Sequence, residues 1–314
     1  MSDDEQQDSE IVGQSEAAES EIDAALESTV AVSEDEGTGF RPLGLDLAGG
    51  NQLAAKRRPT VLILAGEVET GKTSIYAALY ERFGRGPFAG RLFAGSETIP
   101  GFEKRCHGWR MQSGDHDPLM EHTALADLHW LHMRIRDSER QRDLQDLLFV
   151  DYNGEIFADI ASGSSSENDR TFLRRGDHVG VVLDGGKLCD PTQRQAALQR
   201  ASYLVDELMN PGVLADPKAL FVLISKFDLL AAANEEQRNA AEQVAVRVSE
   251  LINERVDTHD APILRVAARS ETDLFPLGHG LSELLDLMTE RPALYVMNGP
   301  PSVPVSDAFT GFTA

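Results

Sequence analysis

The first 36 residues contain no lysine or arginine. They hold 13 acidic residues and so carry −13 of the formal net charge of −23, leaving −10 for the rest of the chain. That balance excludes non-specific nucleic-acid binding through an overall positive field. Cysteine is scarce: Cys106 and Cys189 are the only two in 314 residues. So few thiols in so long a chain exclude a disulfide scaffold and suit a reducing cytoplasm. No apolar run approaches the roughly 18 residues a membrane helix needs. The start, Met1-Ser2-Asp3-Asp4-Glu5, lacks the basic and apolar regions of a signal peptide. A cytoplasmic protein without a membrane span is expected.

Hydrophobic residues make up 41% of the chain, enough to bury a core. Residues 1–57 are poor in aromatics and read as a disordered acidic tail, with Ile22, Leu26 and Val30 as a weak amphipathic stripe. Residues 58–292 read as the folded domain, and 293–314, with Pro and Gly, as a loose C-terminal tail. Thr60–Ala65 is a short β-branched apolar run, the pattern of a buried strand. A helix is expected from Gly71 to Phe83. Arg91–Ala94 is a short strand or an extended loop, and Phe102–Met111 a helix. Asp127–Asp137 alternates, with Leu128, Trp130 and His132 on one side and Leu131, Met133 and Ile135 on the other. With Leu144–Val150 it predicts an antiparallel hairpin. Strands at 178–183, 219–224 and 262–267 then alternate with helices at 191–209, 235–256 and 281–288. That alternation predicts an α/β fold: a mostly parallel six-stranded sheet, one antiparallel edge strand, and helices on both faces.

The strongest chemical signal is Gly66-Glu67-Val68-Glu69-Thr70-Gly71-Lys72-Thr73, between a buried strand and a helix. It matches G-x-x-x-x-G-K-[ST], the phosphate-binding P-loop. Its glycines let backbone N–H groups face an anion, and the helix N-terminus adds its positive end. Gly66, Glu69, Thr70, Gly71, Lys72, Thr73 and Ser74 are the expected phosphate-side residues. Lys72 reaches the β- and γ-phosphates, and the Thr73 hydroxyl ligates Mg²⁺. This loop alone does not separate ATP from GTP.

Three later elements follow in order. Asp151-Tyr152-Asn153-Gly154 leaves a hydrophobic strand, placing Asp151 to hold a Mg²⁺-bound water and the Gly154 N–H to meet a γ-phosphate. Ser225-Lys226-Phe227-Asp228 leaves the next strand. A carboxylate at Asp228 accepts from guanine N1–H and the exocyclic amine, donors that adenine does not present there. Ala267-Ala268-Arg269 ends the last strand and offers backbone N–H groups to the guanine oxygen. The threonine of the mobile switch is Thr123 or, as the alternative, Thr98. Cys106, His107, His116, His122, His129 and His132 lie close in sequence but match no zinc spacing.

These four elements in this order resemble the Ras-like, translation-factor-related (TRAFAC) P-loop GTPases over roughly residues 58–292. A narrower resemblance, to bacterial double-GTPase proteins of conflict and signalling systems, rests on further segments. They are Tyr80-Glu81-Arg82-Phe83, Gly86-Pro87-Phe88-Ala89-Gly90, Gly95-Ser96 and Pro100-Gly101-Phe102-Glu103-Lys104-Arg105-Cys106-His107. The resemblance implies a Ras-like fold and a switch that binds GTP and GDP with Mg²⁺, hydrolyses GTP to GDP and phosphate, and meets a protein effector or activator. Lys72, Gly154 and Glu155 are its expected catalytic positions. Where such proteins often carry a glutamine that orients the attacking water, this chain has Glu155, a carboxylate that a γ-phosphate repels. Val68 crowds the approach of an arginine finger, and Glu67 and Glu69 add negative charge to the loop. Slow, partner-stimulated hydrolysis is therefore expected. The alternatives are a non-hydrolysing nucleotide-binding scaffold and an ATP-using P-loop NTPase.

Overall fold

The computed structural model describes residues 43–110, 128–139, 144–152, 154–165, 170–214, 219–256, 260–270 and 272–289. Seven strands form one sheet: β1 (Thr60–Ala65), β2 (Arg91–Gly95), β3 (His129–Asp137), β4 (Leu144–Asp151), β5 (His178–Asp184), β6 (Ala219–Ser225) and β7 (Ile263–Arg265). Their order is β2-β3-β4-β1-β5-β6-β7. β1 is parallel to both β4 and β5, β5 to β6, and β6 to β7. β3 is antiparallel to β4 and to β2.

The expected α/β architecture is present with two corrections. The sheet has seven strands rather than six, because Arg91–Gly95 pairs with β3 across a register shift between Phe93 and Gly95. The antiparallel strand is therefore covered on its outer side and is not the edge. Secondly, residues 43–57 do not belong to a disordered tail. Leu45 exchanges backbone hydrogen bonds with Trp130 on β3, and Leu47–Arg57 is a helix, α1. Its Asp46 cap accepts from the Gly49 N–H, Lys56 and Arg57 lie in its last turn, and it buries Gly50 and Leu53.

The remaining helices are α2 (Lys72–Gly84), α3 (Ile99–Arg110), α4 (Gly154–Ala161), α5 (Gly185–Cys189), α6 (Pro191–Leu208), α7 (Phe227–Ala232), α8 (Glu235–Asn253) and α9 (Leu281–Thr289). Strand alternation divides the core into two. Val61, Ile63 and Ala65 of β1 join Trp130, Val150 and residues of α1, α4, α6 and α8. Leu62 and Leu64 join Leu131, Met133, Phe149 and residues of α2, α3 and α9. Helices thus cover both faces, as the sequence pattern requires. None of the described helices is long and apolar enough to cross a membrane.

Because β1, β4, β5, β6 and β7 run parallel, their C-terminal ends open on one edge. The order reverses at β1, whose neighbours β4 and β5 lead away in opposite directions. Crevices for ligands form at such points in open α/β sheets.

Candidate functional site

The loop after β1 curls through two left-handed residues, Glu69 at φ 65° and Gly71 at φ 83°. Gly71 is the residue before α2, so the loop delivers the chain straight into the helix N-terminus. Thr70 is buried, and its hydroxyl donates to the Glu67 carbonyl at 2.9 Å. Lys72 is 7% exposed and donates from Nζ to the carbonyls of Gly66 at 2.8 Å and Glu67 at 2.6 Å. Its Nζ also lies 5.7 Å from the centre of the Phe157 ring on α4. Burial pulls the Lys72 ammonium down to about 8, against the opposing pull of the Asp151 and Glu67 carboxylates. The geometry holds one poorly solvated positive charge against the loop carbonyls, at the N-terminus of α2. Ser74 is half-buried in the first turn of α2.

Asp151 ends β4 and is 1% exposed. Its Oδ1 accepts from the Thr73 hydroxyl at 2.8 Å, across 78 residues of chain. The two expected metal-side residues are thus in direct contact. A hydroxyl and a carboxylate together are hard oxygen donors of the kind Mg²⁺ takes, so the pair fits that ion. Thr123 lies outside the described residues. Thr98, the alternative, is fully buried; its hydroxyl accepts from the His132 N–H at 2.8 Å and donates to the His132 carbonyl at 3.3 Å. Thr98 pins the β2–α3 connection to β3 and is not among the groups bonded to Asp151.

Gly154 opens α4 against the P-loop itself. A Cβ built there would lie 2.4 Å from the Val68 nitrogen. Only a glycine lets the two backbones come so close. Glu155 stands exposed in the first turn of α4, while Ile156, Phe157 and Ile160 face the core.

On the other side of β1, Ser225 is buried and donates to the Leu183 carbonyl at 3.2 Å. Lys226 has φ 48° and donates from Nζ to Asp184 Oδ2 at 2.7 Å. Asp228 is half-buried in the first turn of α7. Ala267 and Ala268 are buried, and the strand exit before them is tied in by the Phe227 N–H, which donates to the Val266 carbonyl at 3.1 Å. The Lys226–Asp228 and Ala267–Ala268 segments are therefore neighbours.

Charged groups outside the expected site residues also meet here. Asp184 accepts from the Gly186 and Lys187 N–H groups, capping α5, while holding Lys226. Glu67 is paired by Lys187 at 3.1 Å and Arg200 at 2.7 Å. Its charge is paired on the side of α5 and α6. Arg105 on α3 reaches Asp151. Of these, Asp184 has the clearest sequence signature, an acid ending an apolar strand. A cavity of about 460 Å³ lies beside the loop, lined by Glu67, Phe157, Val181, Arg200 and Leu204 among others. It also takes in Gly66 and Thr70 of the P-loop and Asp184 at the end of β5, but not Thr73, Asp151 or Asp228, so it adjoins the phosphate side of the strand-end crevice.

The family description Double-GTPase 2 matches residues 61–289, more than half the chain and all seven strands except the first residue of β1. The chain belongs to the Double-GTPase 2 family. This Double-GTPase 2 chain is thus a GTP-binding P-loop domain, and the match begins at the strand that leads into the loop. No curated protein matches the chain.

Proposed function

We propose that this domain is a guanine-nucleotide switch that binds GTP and GDP with Mg²⁺ and hydrolyses GTP slowly, in the cytoplasm, with stimulation by a protein partner. The observation that carries the reading is the meeting of Lys72, Thr73 and Asp151 at the mouth of the P-loop, with Lys226 and Asp228 across β1.

Lys72 exchanges loop carbonyls for phosphate oxygens, which is favourable for an ammonium with so little water around it. The N–H groups of Gly66 to Ser74, including those of Glu69, Thr70 and Gly71, cradle the phosphates. Thr73 and Asp151 would hold Mg²⁺, whose chemistry is to neutralise charge developing on the phosphates. The Gly154 N–H, against Val68, meets the terminal phosphate and so couples α4 to its presence. Asp228 selects guanine, Lys226 lies along the base from its anchor on Asp184, and the Ala267 and Ala268 N–H groups approach the guanine oxygen. Ser225 fixes the start of that loop through β5.

Slow hydrolysis follows from Glu155, which stands where a neutral water-orienting group would serve better, and from Val68, which narrows the space beside Gly154. The same two residues also support a non-hydrolysing scaffold. Phosphate release from pre-bound GTP over hours separates the two.

The test is nucleotide choice. Wild type is expected to prefer guanine over adenine nucleotides by at least ~10³-fold, because a fixed carboxylate acceptor rejects a base without matching donors. Asp228→Asn should shift preference toward xanthosine nucleotides. Equal binding of ATP and GTP by wild type would overturn the guanine reading.

A further inference from the structure

Asp151 has a second partner that the P-loop reading does not use. Arg105 Nε donates to Asp151 Oδ2 at 2.5 Å, while Thr73 occupies Oδ1. The arginine side chain is 8% exposed and the aspartate 1%. Removing charges of this kind from water is costly unless both are paired and their remaining hydrogen bonds made. Here they are made. Arg105 NH1 donates to the Gly101 carbonyl at 2.7 Å and to the Leu43 carbonyl at 2.9 Å. The Leu43 carbonyl approaches closely because residue 101 is glycine; a Cβ there would lie 2.8 Å from that oxygen. Two residues on, Leu45 is locked to Trp130 by hydrogen bonds of 2.9 and 2.8 Å. Next to Trp130, His129 stands opposite Asp151 in the β3–β4 register. The guanidinium is thus held from α3 and from the chain ahead of α1, and it aims at the metal-side carboxylate.

We propose that Arg105 is a resident counter-charge and positioning residue for Asp151, which keeps the phosphate site assembled and electrostatically balanced without Mg²⁺. The proposal rests on the nucleotide reading above. By occupying Oδ2 it leaves Oδ1 turned toward Thr73, the side on which the ion would bind. By its charge it offsets the repulsion between Asp151 and the phosphates when no ion is present. Without Arg105, a bare carboxylate opposes phosphate in the absence of metal and attracts metal more strongly when it is supplied. Metal dependence therefore becomes the diagnostic quantity.

The experiment titrates the full chain with a fluorescent GDP analogue, once in Mg²⁺ and once in EDTA, and takes the ratio of the two dissociation constants. Wild type is expected to keep that ratio within about tenfold. Arg105→Met is expected to raise it by a further tenfold or so, through weaker binding in EDTA. Arg105→Lys, which keeps the charge, should stay near wild type in ratio. A merely structural arginine would weaken both titrations equally and leave the ratio unchanged, and that result overturns the proposal. A wild-type protein that loses more than about a thousandfold in EDTA overturns it too, and needs no variant to fold. No binding of GDP under either condition would instead overturn the nucleotide reading itself.

Discussion

Gly154→Ala tests whether α4 and the P-loop are mechanically one unit. The added Cβ would sit 2.4 Å from the Val68 nitrogen, 2.6 Å from its Cα and 2.7 Å from the Glu67 carbonyl carbon. All three are backbone atoms, so no side-chain rotation relieves the overlap. Ordinary contact lies near 3.5 Å, and helix and loop must therefore separate by roughly 1 Å. Overpacking on that scale costs about 1–3 kcal/mol. In a domain of this size that lowers Tm by roughly 3–10 °C. The more telling effect is on ligand. The displaced loop carries the carbonyls that hold Lys72, and the displaced N–H is the one proposed to meet the terminal phosphate. GTP should therefore lose more affinity than GDP, by an extra factor of about ten, or about 1.4 kcal/mol. Differential scanning fluorimetry and paired titrations with fluorescent GTP and GDP read both quantities. Unchanged Tm together with equal affinities for the two nucleotides would refute the reasoning.

Lys72 makes pH a second probe. Its ammonium titrates near 8 in the folded protein against an ordinary 10.5. Between those values the unfolded chain holds a proton that the folded protein has released, so Lys72's contribution to stability rises with pH through that window, by at most about 3 kcal/mol. Urea unfolding of nucleotide-free protein at several pH values should show that slope, and Lys72→Met should flatten it. Phosphate affinity runs the opposite way: GTP binding should weaken as pH climbs above about 8, since the neutral amine attracts no phosphate. Asp184→Ala should cost about 2 kcal/mol in denaturant unfolding by uncapping α5 and leaving Lys226 without its anchor, and should weaken guanine binding more than phosphate binding. Arg200→Ala should change stability by less than about 1 kcal/mol, because its pair with Glu67 is 61% exposed on the arginine side.

The site was legible in the sequence where a residue type and a strand end coincide. The P-loop, Asp151, Ser225–Asp228 and Ala267–Ala268 each follow a parallel strand, and parallel strands bring such exits to one edge. The alternation of Trp130 and Leu131 likewise foretold the two cores that they join. What the pattern did not reveal lacks a period of its own. β2 is half-buried throughout and pairs with a bulge, so its apolar residues do not alternate clearly. α1 contains Gly49 and Gly50 and has weak amphipathicity; it is held by a cap and by packing of Gly50 on the Trp130 ring. Short helices such as α5 and α7 are too brief to show helical spacing. Arg105 escaped because an arginine in a helix ordinarily reads as a solvated surface charge, and only its partner 46 residues away shows otherwise.

The most direct measurement is mass spectrometry of the nucleotide released when the purified full chain is denatured. The account predicts GDP or GTP at close to one per chain, and its loss in Lys72→Met. Recovery of ADP or ATP in that place would contradict the guanine assignment to Asp228.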